Sequence, residues 1–395
     1  MRSISITKSG INKIKGHQLE LKSLDLDESI KSIPPGEWCL ITVYPETWVA
    51  FVNSQIDDKY PCTQVVGKLT PEQVNNFDPA VLIQEKISTA AAKRLRWDGY
   101  DKGSRIFYGN KDGLPGLIVD EYSNAIIVQI NTAGIDRYRE HIKKIYLELK
   151  GKPVYYLDNA KYRQKEFLPT YQAEAIPELH VEENGIKYKL RSEVIQKVGF
   201  YYDHRENRLQ LMGLLRRLKL KPQRGIDLFC YAGAWGLSAL SSGVPRVDFV
   251  DQGDFEAEVE SALALNGFSG QGKFHRTDVF KFLEAAVAAK ASYDVILCDP
   301  PAFAKSSLQK PQALEGYSKL HRRVMKVAAP GALCAFSSCT HYVTDQDFQK
   351  NILDAATKEH RKVQLVYSGL QGFDHPVESL DDRSNYIKSY FYLLE

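Results

Sequence analysis

The chain's 395 residues exceed what one ordinary domain holds, so two or three domains are expected. Hydrophobic residues make up 44% and charged residues 26%, and no apolar run approaches the ~18 residues of a membrane-spanning helix, so no membrane partner is expected. A net charge of +3 is too small to announce a nucleic-acid partner by itself, and Met1 to His17 lack the apolar stretch of a signal peptide, which points to a cytoplasmic protein.

Residues 1 to 75 read as a small β domain, with strands over Ser3–Thr7, Trp38–Val43 and Trp48–Val52 and breakers at Pro34-Pro35-Gly36 and Pro45. Thr70-Pro71-Glu72-Gln73 carries a cap residue, a first-turn proline and acids, and starts a helix. A longer helix follows from about Asp78 to Trp97, with Ile83, Ile87, Ala90, Ala91 and Leu95 on one stripe. Strands return at Phe107-Tyr108, Leu117–Asp120 and Ala125–Ile130, the last after a Ser123-Asn124 turn. An amphipathic helix (Tyr138 to Leu149) and a strand (Pro153 to Leu157) complete a middle α+β domain over 76–179. A hairpin around Asn184-Gly185 then opens the 180–395 domain, where strands alternate with helices, the signature of a doubly wound α/β sheet.

Four acids fall at the ends of successive predicted strands of that sheet. Asp227 lies in the first, Gly225–Phe229, which runs into the glycine-rich turn Cys230–Gly236. Asp251 ends the next, about 20 residues on, where an acid can bind both hydroxyls of a ribose. Asp278 follows Phe274–Thr277, and Asp299 ends the apolar strand Tyr293–Cys298 and opens Asp299-Pro300-Pro301-Ala302-Phe303. Each acid alone is as well explained as a helix cap or a strand stop. All four in order are not. The glycines lack the GxGxxG spacing of a dinucleotide site, which favours an adenosine with a zwitterionic tail, S-adenosyl-L-methionine, over a pyrophosphate.

Six cysteines are scattered without a CxxC pair, so neither a disulfide framework nor a metal site is suggested. Between Ile186 and Gly225 lie eleven lysines and arginines against three acids, a local basic field of the kind a polyanion needs, or a solvated helix face.

Asp227–Gly233, Asp299–Ser306 and Phe336-Ser337-Ser338-Cys339-Thr340 together resemble the bacterial 23S ribosomal RNA large-subunit cytosine-5 methyltransferase family. Gln196–Arg205, Asp112–Asp120 and Asp374-His375-Pro376-Val377 are similar to further segments of it, so the likeness runs from about Arg105 to the end. The resemblance implies a class I methyltransferase domain and an RNA partner, 23S ribosomal RNA, and it admits a homodimer. In that family residues 1–75 would be a PUA-type RNA-binding module, although Gly16-His17-Gln18-Leu19 stands in place of its Gly-His-Pro-Trp start, and His204 replaces its usual glutamine. The implied cofactor-binding set is Asp227, Phe229, Tyr231, Gly233, Gly236, Asp251, Asp278, Asp299 and Pro300, with Arg205 from the segment before the sheet.

Cytosine carbon-5 accepts a methyl group only after a thiolate has added at carbon-6, so the reaction needs a cysteine beside an orienting acid. The fifth strand, read as Ala332–Phe336, leaves Cys339 past its carboxyl end, and neighbouring strands ~4.8 Å apart would bring it opposite Asp299. Cys339 and Asp299 are therefore the candidate catalytic residues, while Cys298 and Cys334 fall inside strands. The competing readings are an exocyclic-amine or guanine-ring methyltransferase, which shares Asp-Pro-Pro-aromatic and needs no thiol, a silent RNA-binding factor, and a small-molecule methyltransferase.

Overall fold

The computed structural model describes residues 1–27, 30–158, 160–195, 199–219, 221–380, 382 and 384–395, divided between two units, Met1–Ile176 and Pro177–Glu395. In the first unit, strands Glu37–Val43, Glu46–Val52 and Thr63–Leu69 pair in antiparallel register, with Leu40 opposite Val49. Arg2–Ile4 and the two-residue Glu20–Leu21 add at the edges. The first predicted strand ends early because Thr7 accepts a hydrogen bond from the Gly10 amide and caps a helix, Lys8–Lys15. Lysines outnumber the isoleucines that carry its buried side, which hides the helical period.

The long helix runs over Pro79–Arg94 and buries Ile83, Ile87, Ala90 and Ala91 as expected. Leu95 does not belong to that stripe: it is 61% exposed just past the last turn. Arg94 turns inward in its place and grips Asp112 through two bonds of 2.8 and 2.6 Å. A four-stranded sheet (Ser104–Tyr108, Leu117–Glu121, Ile126–Ile130, Val154–Tyr156) follows. One apolar cluster spans this unit, joining Trp38, Phe51 and Val66 to Ile87, Phe107 and Tyr146.

The second unit opens with the hairpin Leu179–Glu183 and Ile186–Leu190, turned at Asn184 and Gly185 with φ of 52° and 79°. Its sheet comprises β1 (Gly225–Leu228), β2 (Val247–Asp251), β3 (Gly272–Arg276), β4 (Tyr293–Cys298), β5 (Ala328–Ser338), β6 (Val363–Gly369) and β7 (Lys388–Leu394). The order is β3-β2-β1-β4-β5-β7-β6, parallel except for β7. The order reverses between β1 and β4, so a crevice opens beyond their carboxyl ends. Helix α1 (Arg205–Arg217) precedes β1, and α2 (Ala234–Leu240) follows it.

The hairpin is tied to α1 by a buried acid. Glu183, 2% exposed, takes Arg208 at 2.5 and 2.8 Å, and Arg205 lies 3.5 Å away. Removing one partner of a buried ion pair leaves an uncompensated charge and costs about 3–5 kcal/mol. Glu183→Ala is therefore expected to lower stability by about that amount in chemical denaturation. A loss below about 1 kcal/mol would show that the two arginines find other partners.

Candidate active site

The carboxyl ends of β1, β2, β4 and β5 converge on a cavity of about 550 Å³. After β1 the chain makes a strained turn: Phe229 and Tyr231 sit at φ 62° and 48°, and Gly233 at 79°. Left-handed backbone at a side-chain-bearing residue costs about 1–3 kcal/mol, so the surroundings must hold it. They do so through the Phe229 amide on the Val250 carbonyl at 2.9 Å and the Tyr231 amide on Asp251 Oδ2 at 3.1 Å. Packing alone requires glycine at Gly236, since a Cβ there would stand 2.3 Å from the Phe249 ring.

Six of the sequence-predicted site residues line the cavity: Phe229, Tyr231, Asp251, Asp299, Pro300 and Cys339. Asp227 and Gly236 sit behind the turn, where the Gly236 amide donates to Asp227 Oδ2 at 2.7 Å. Burial pushes the Asp227 carboxyl well above the usual range, and its other oxygen has no partner among the described residues. Gly233 lies outside the cavity wall, as does Arg205, which is turned toward Glu183. Asp278 also lies outside it, capping the helix Val279–Ala288 by accepting from the Lys281 amide at 3.0 Å.

At the centre, Asp299 Oδ2 accepts the Trp235 indole N–H at 3.0 Å and lies 3.5 Å from His204 Nε2. Burial opposes a charge on His204, but the adjacent Asp299 carboxylate outweighs it and raises the imidazole above its ordinary 6.5. Asp299 is depressed below its ordinary 3.8, burial being overcome chiefly by His204. The other His204 nitrogen, Nδ1, meets the Asn207 amide at 3.2 Å.

The basic field separates into two kinds of residue. Arg191, Arg205, Arg208 and Arg224 are spent on Glu258, Glu183, Glu183 and Asp248, respectively. Arg216 and Arg217 are exposed at the far end of α1, whose 13 residues carry them ~20 Å from the cavity end at His204, toward the amino edge of β1. They are not beside the pocket. Lys197 lies outside the described residues.

A family model for S-adenosylmethionine-dependent methyltransferases matches residues 151–367. The chain belongs to that family. Its cofactor is accordingly S-adenosylmethionine. Among curated relatives, a ribosomal RNA large subunit methyltransferase I of Shewanella amazonensis is 30% identical over 394 residues, 97% of this chain and 93% of that protein. The protein of the same name from Shewanella denitrificans is 31% identical over 294 residues, 72% and 73% of the respective chains. Two solved structures share the fold at 18% identity over 100% of both chains. One, from Streptococcus mutans and designated a SAM-dependent methyltransferase, has a TM-score of 0.73; the other, a methyltransferase complexed with SAH, has 0.74.

The residues present suit this cofactor. A nucleoside with a cationic tail needs acceptors and apolar faces, and this methyltransferase offers Asp251, the unpartnered Asp227 oxygen, and the rings of Phe229, Tyr231 and Phe255. Among the six cysteines, five are buried and only Cys339 is partly exposed. Burial holds the thiols of Cys230, Cys298 and Cys334 up. Cys339 is itself pushed up to about 12 by burial and then by the Asp299 and Asp203 charges.

His204 and Trp235, the partners of Asp299, carry no local signal of that role. The one hint available is that a buried tryptophan N–H needs an acceptor. His204 gains a proton partner on folding, so its contribution to stability is complete below pH 6.5 and fades as pH rises through the raised folded value. Asp299 contributes above 3.8 and loses that contribution as pH falls through its depressed value. The difference in Tm between the native protein and His204→Gln should be widest between these limits and shrink toward alkaline pH. A difference that stays flat from about pH 5 to 9 would show that the pair is not charged.

Proposed function

We propose that this methyltransferase modifies ribosomal RNA of the large subunit, forming 5-methylcytosine in 23S RNA through a covalent bond to Cys339. The observation that carries the reading is the meeting of Cys339 and Asp299 on one cavity wall, past the ends of the neighbouring strands β5 and β4. The names of the two Shewanella relatives support the substrate class. Residues 1–75 would serve as a PUA-like RNA-binding module, 76–179 as the middle domain, and 180–395 as the catalytic domain.

S-adenosylmethionine, when bound, supplies an electrophilic methyl group. Asp251 would hold the ribose, Asp227 and the turn Phe229–Gly233 the rest of the nucleoside and its tail, and the Asp299 backbone the amino group, with Asp278 available to the adenine edge. Cys339 Sγ would lose its proton and add to cytosine carbon-6, making carbon-5 nucleophilic. The Asp299 carboxylate, kept ionised by His204 and Trp235, would accept from the base's amino edge. After methylation, removal of the carbon-5 proton to solvent would re-form the carbon-5–carbon-6 double bond and expel Cys339 as the thiolate, which then regains from solvent the proton it lost. A base in structured RNA must first be unstacked and turned into the pocket.

A second reading, methylation of an exocyclic amine or a guanine ring, draws on the Asp299–Phe303 segment and on a thiol held protonated. The two readings part at Cys339. Cys339→Ala should keep near-native cofactor affinity while methyl transfer falls by orders of magnitude. RNA bearing 5-fluorocytosine at the target should trap an adduct on Cys339, because fluorine blocks the final elimination. Full activity in Cys339→Ala with no adduct would hand the case to the amine or guanine reading, and an adduct on Cys230, Cys298 or Cys334 would displace Cys339. Asp251→Ala should weaken cofactor binding by about 1.5–3 kcal/mol, a charge-assisted contact; undiminished affinity in calorimetry would remove the ribose assignment.

A further inference from the structure

The turn that carries Cys339 is pinned on both sides. Before it, Ser338 Oγ meets the Tyr317 hydroxyl at 2.8 Å and accepts the Thr340 amide at 3.2 Å. After it, Thr340 Oγ1 meets the same Tyr317 hydroxyl at 3.0 Å. The Thr340 carbonyl takes a third hold, from the ammonium of Lys388 at 3.2 Å. Lys388 is 5% exposed, opens β7 and pairs in register with Ser338, which sets its backbone beside the turn. The ammonium also donates to the Tyr386 carbonyl at 3.4 Å. No carboxylate is within ion-pair distance of it among the described residues.

A buried ammonium bonded only to carbonyls is an expensive choice if the task is to hold a turn, since a neutral donor would do that without the desolvation cost. Its charge acts on what lies nearby. The groups facing this corner are Asp299 and Asp203, which disfavour a thiolate at Cys339; Asp345, whose Oδ1 is already engaged by the Tyr390 hydroxyl at 2.6 Å; and the neutral side chains of Tyr201, Tyr317 and His341. Lys388 is the cation that favours ionisation of Cys339 against the two acids. In return, Asp345 and Cys339 favour the ammonium, whose own value burial draws down.

We propose that Lys388 is a positioning residue for Cys339: it fixes the nucleophile's turn through the Thr340 carbonyl, and its charge lowers the cost of forming the thiolate. This rests on the reading of Cys339 as the nucleophile, but its test does not require methyl transfer. The second-order rate of Cys339 alkylation by iodoacetamide, located by peptide mass spectrometry, measures thiolate availability at fixed pH in the full-length protein. Lys388→Gln keeps a donor for the Thr340 carbonyl and removes the charge. It is expected to slow alkylation about three- to tenfold, the smaller thiolate fraction being partly offset by greater intrinsic nucleophilicity. Lys388→Arg should stay within about twofold of the native rate, because it retains both the charge and the donor.

Cofactor affinity by calorimetry checks that each variant is folded. If Lys388→Gln loses it, Lys388→Met, which fills the buried space, takes its place. A native alkylation rate in the uncharged variant would overturn the proposal. So would an arginine variant that falls as far as the glutamine one, since that would make the role purely one of shape. Failure of either kind leaves the 5-fluorocytosine adduct on Cys339 untouched, whereas loss of that adduct with Lys388 coupling intact would strike the cysteine mechanism alone.

Discussion

Carboxylates at the ends of parallel strands must be kept charged in a place that water reaches poorly, and Asp299 is where that constraint binds the second unit together. It ends β4 at the point where the strand order reverses, beside the fully buried Asp227 of β1. Two neighbouring acids out of water cannot both ionise cheaply. Here the conflict is resolved by unequal partners. Asp227 has a single amide donor and is driven toward its neutral form, while Asp299 has the Trp235 indole and the His204 imidazole and stays ionised. The strained turn after β1 and the placement of α1 follow from this need, since Trp235 stands at the start of α2 and His204 just before α1.

What could be read in the sequence was the part governed by local pattern. Strands with acids at their ends announce a sheet edge, and the strands around Asp227, Asp251 and Asp299 stand where alternation and apolar runs put them. Patterns failed where burial on one side rests on few residues, as in Lys8–Lys15, or where a side chain reverses its expected direction, as Arg94 does in place of Leu95. Partners far apart in sequence were invisible for a different reason. His204 and Asp299 lie 95 positions apart, and Lys388 and Thr340 lie 48 apart; nothing in either neighbourhood encodes the other. Gly236 shows a further contact that the sequence hides, since a Cβ there would meet the Phe249 ring of the neighbouring strand.

Charge counted along a chain is equally poor at revealing where charge acts. Of the arginines before β1, four neutralise acids inside the unit, and Glu183 alone absorbs two of them. The arginines left exposed, Arg216 and Arg217, are carried by α1 to the edge opposite the cavity. An RNA that places one base in the cavity meets them only if it extends across the domain. Lys305, exposed on the loop that follows Asp299, is nearer in chain and topology to the cavity than either.

A thiol held at about 12 is a poor nucleophile by population alone. Against an ordinary thiol at 9.0, the thiolate fraction near neutrality falls roughly a thousandfold. Nucleophilicity rises with basicity with a coefficient of about 0.4–0.5, which returns roughly 20- to 30-fold. The net deficit is therefore some 30- to 60-fold, or about 2 kcal/mol. That is small beside what holding two reactants in register can supply, about 7–11 kcal/mol in well-oriented cases. A thiol kept protonated by burial and by the Asp299 and Asp203 charges is also slow toward stray electrophiles, so as a nucleophile it would react chiefly where a base is held against it. Lys388 already acts on the thiol at that value, so removing its charge would widen the deficit.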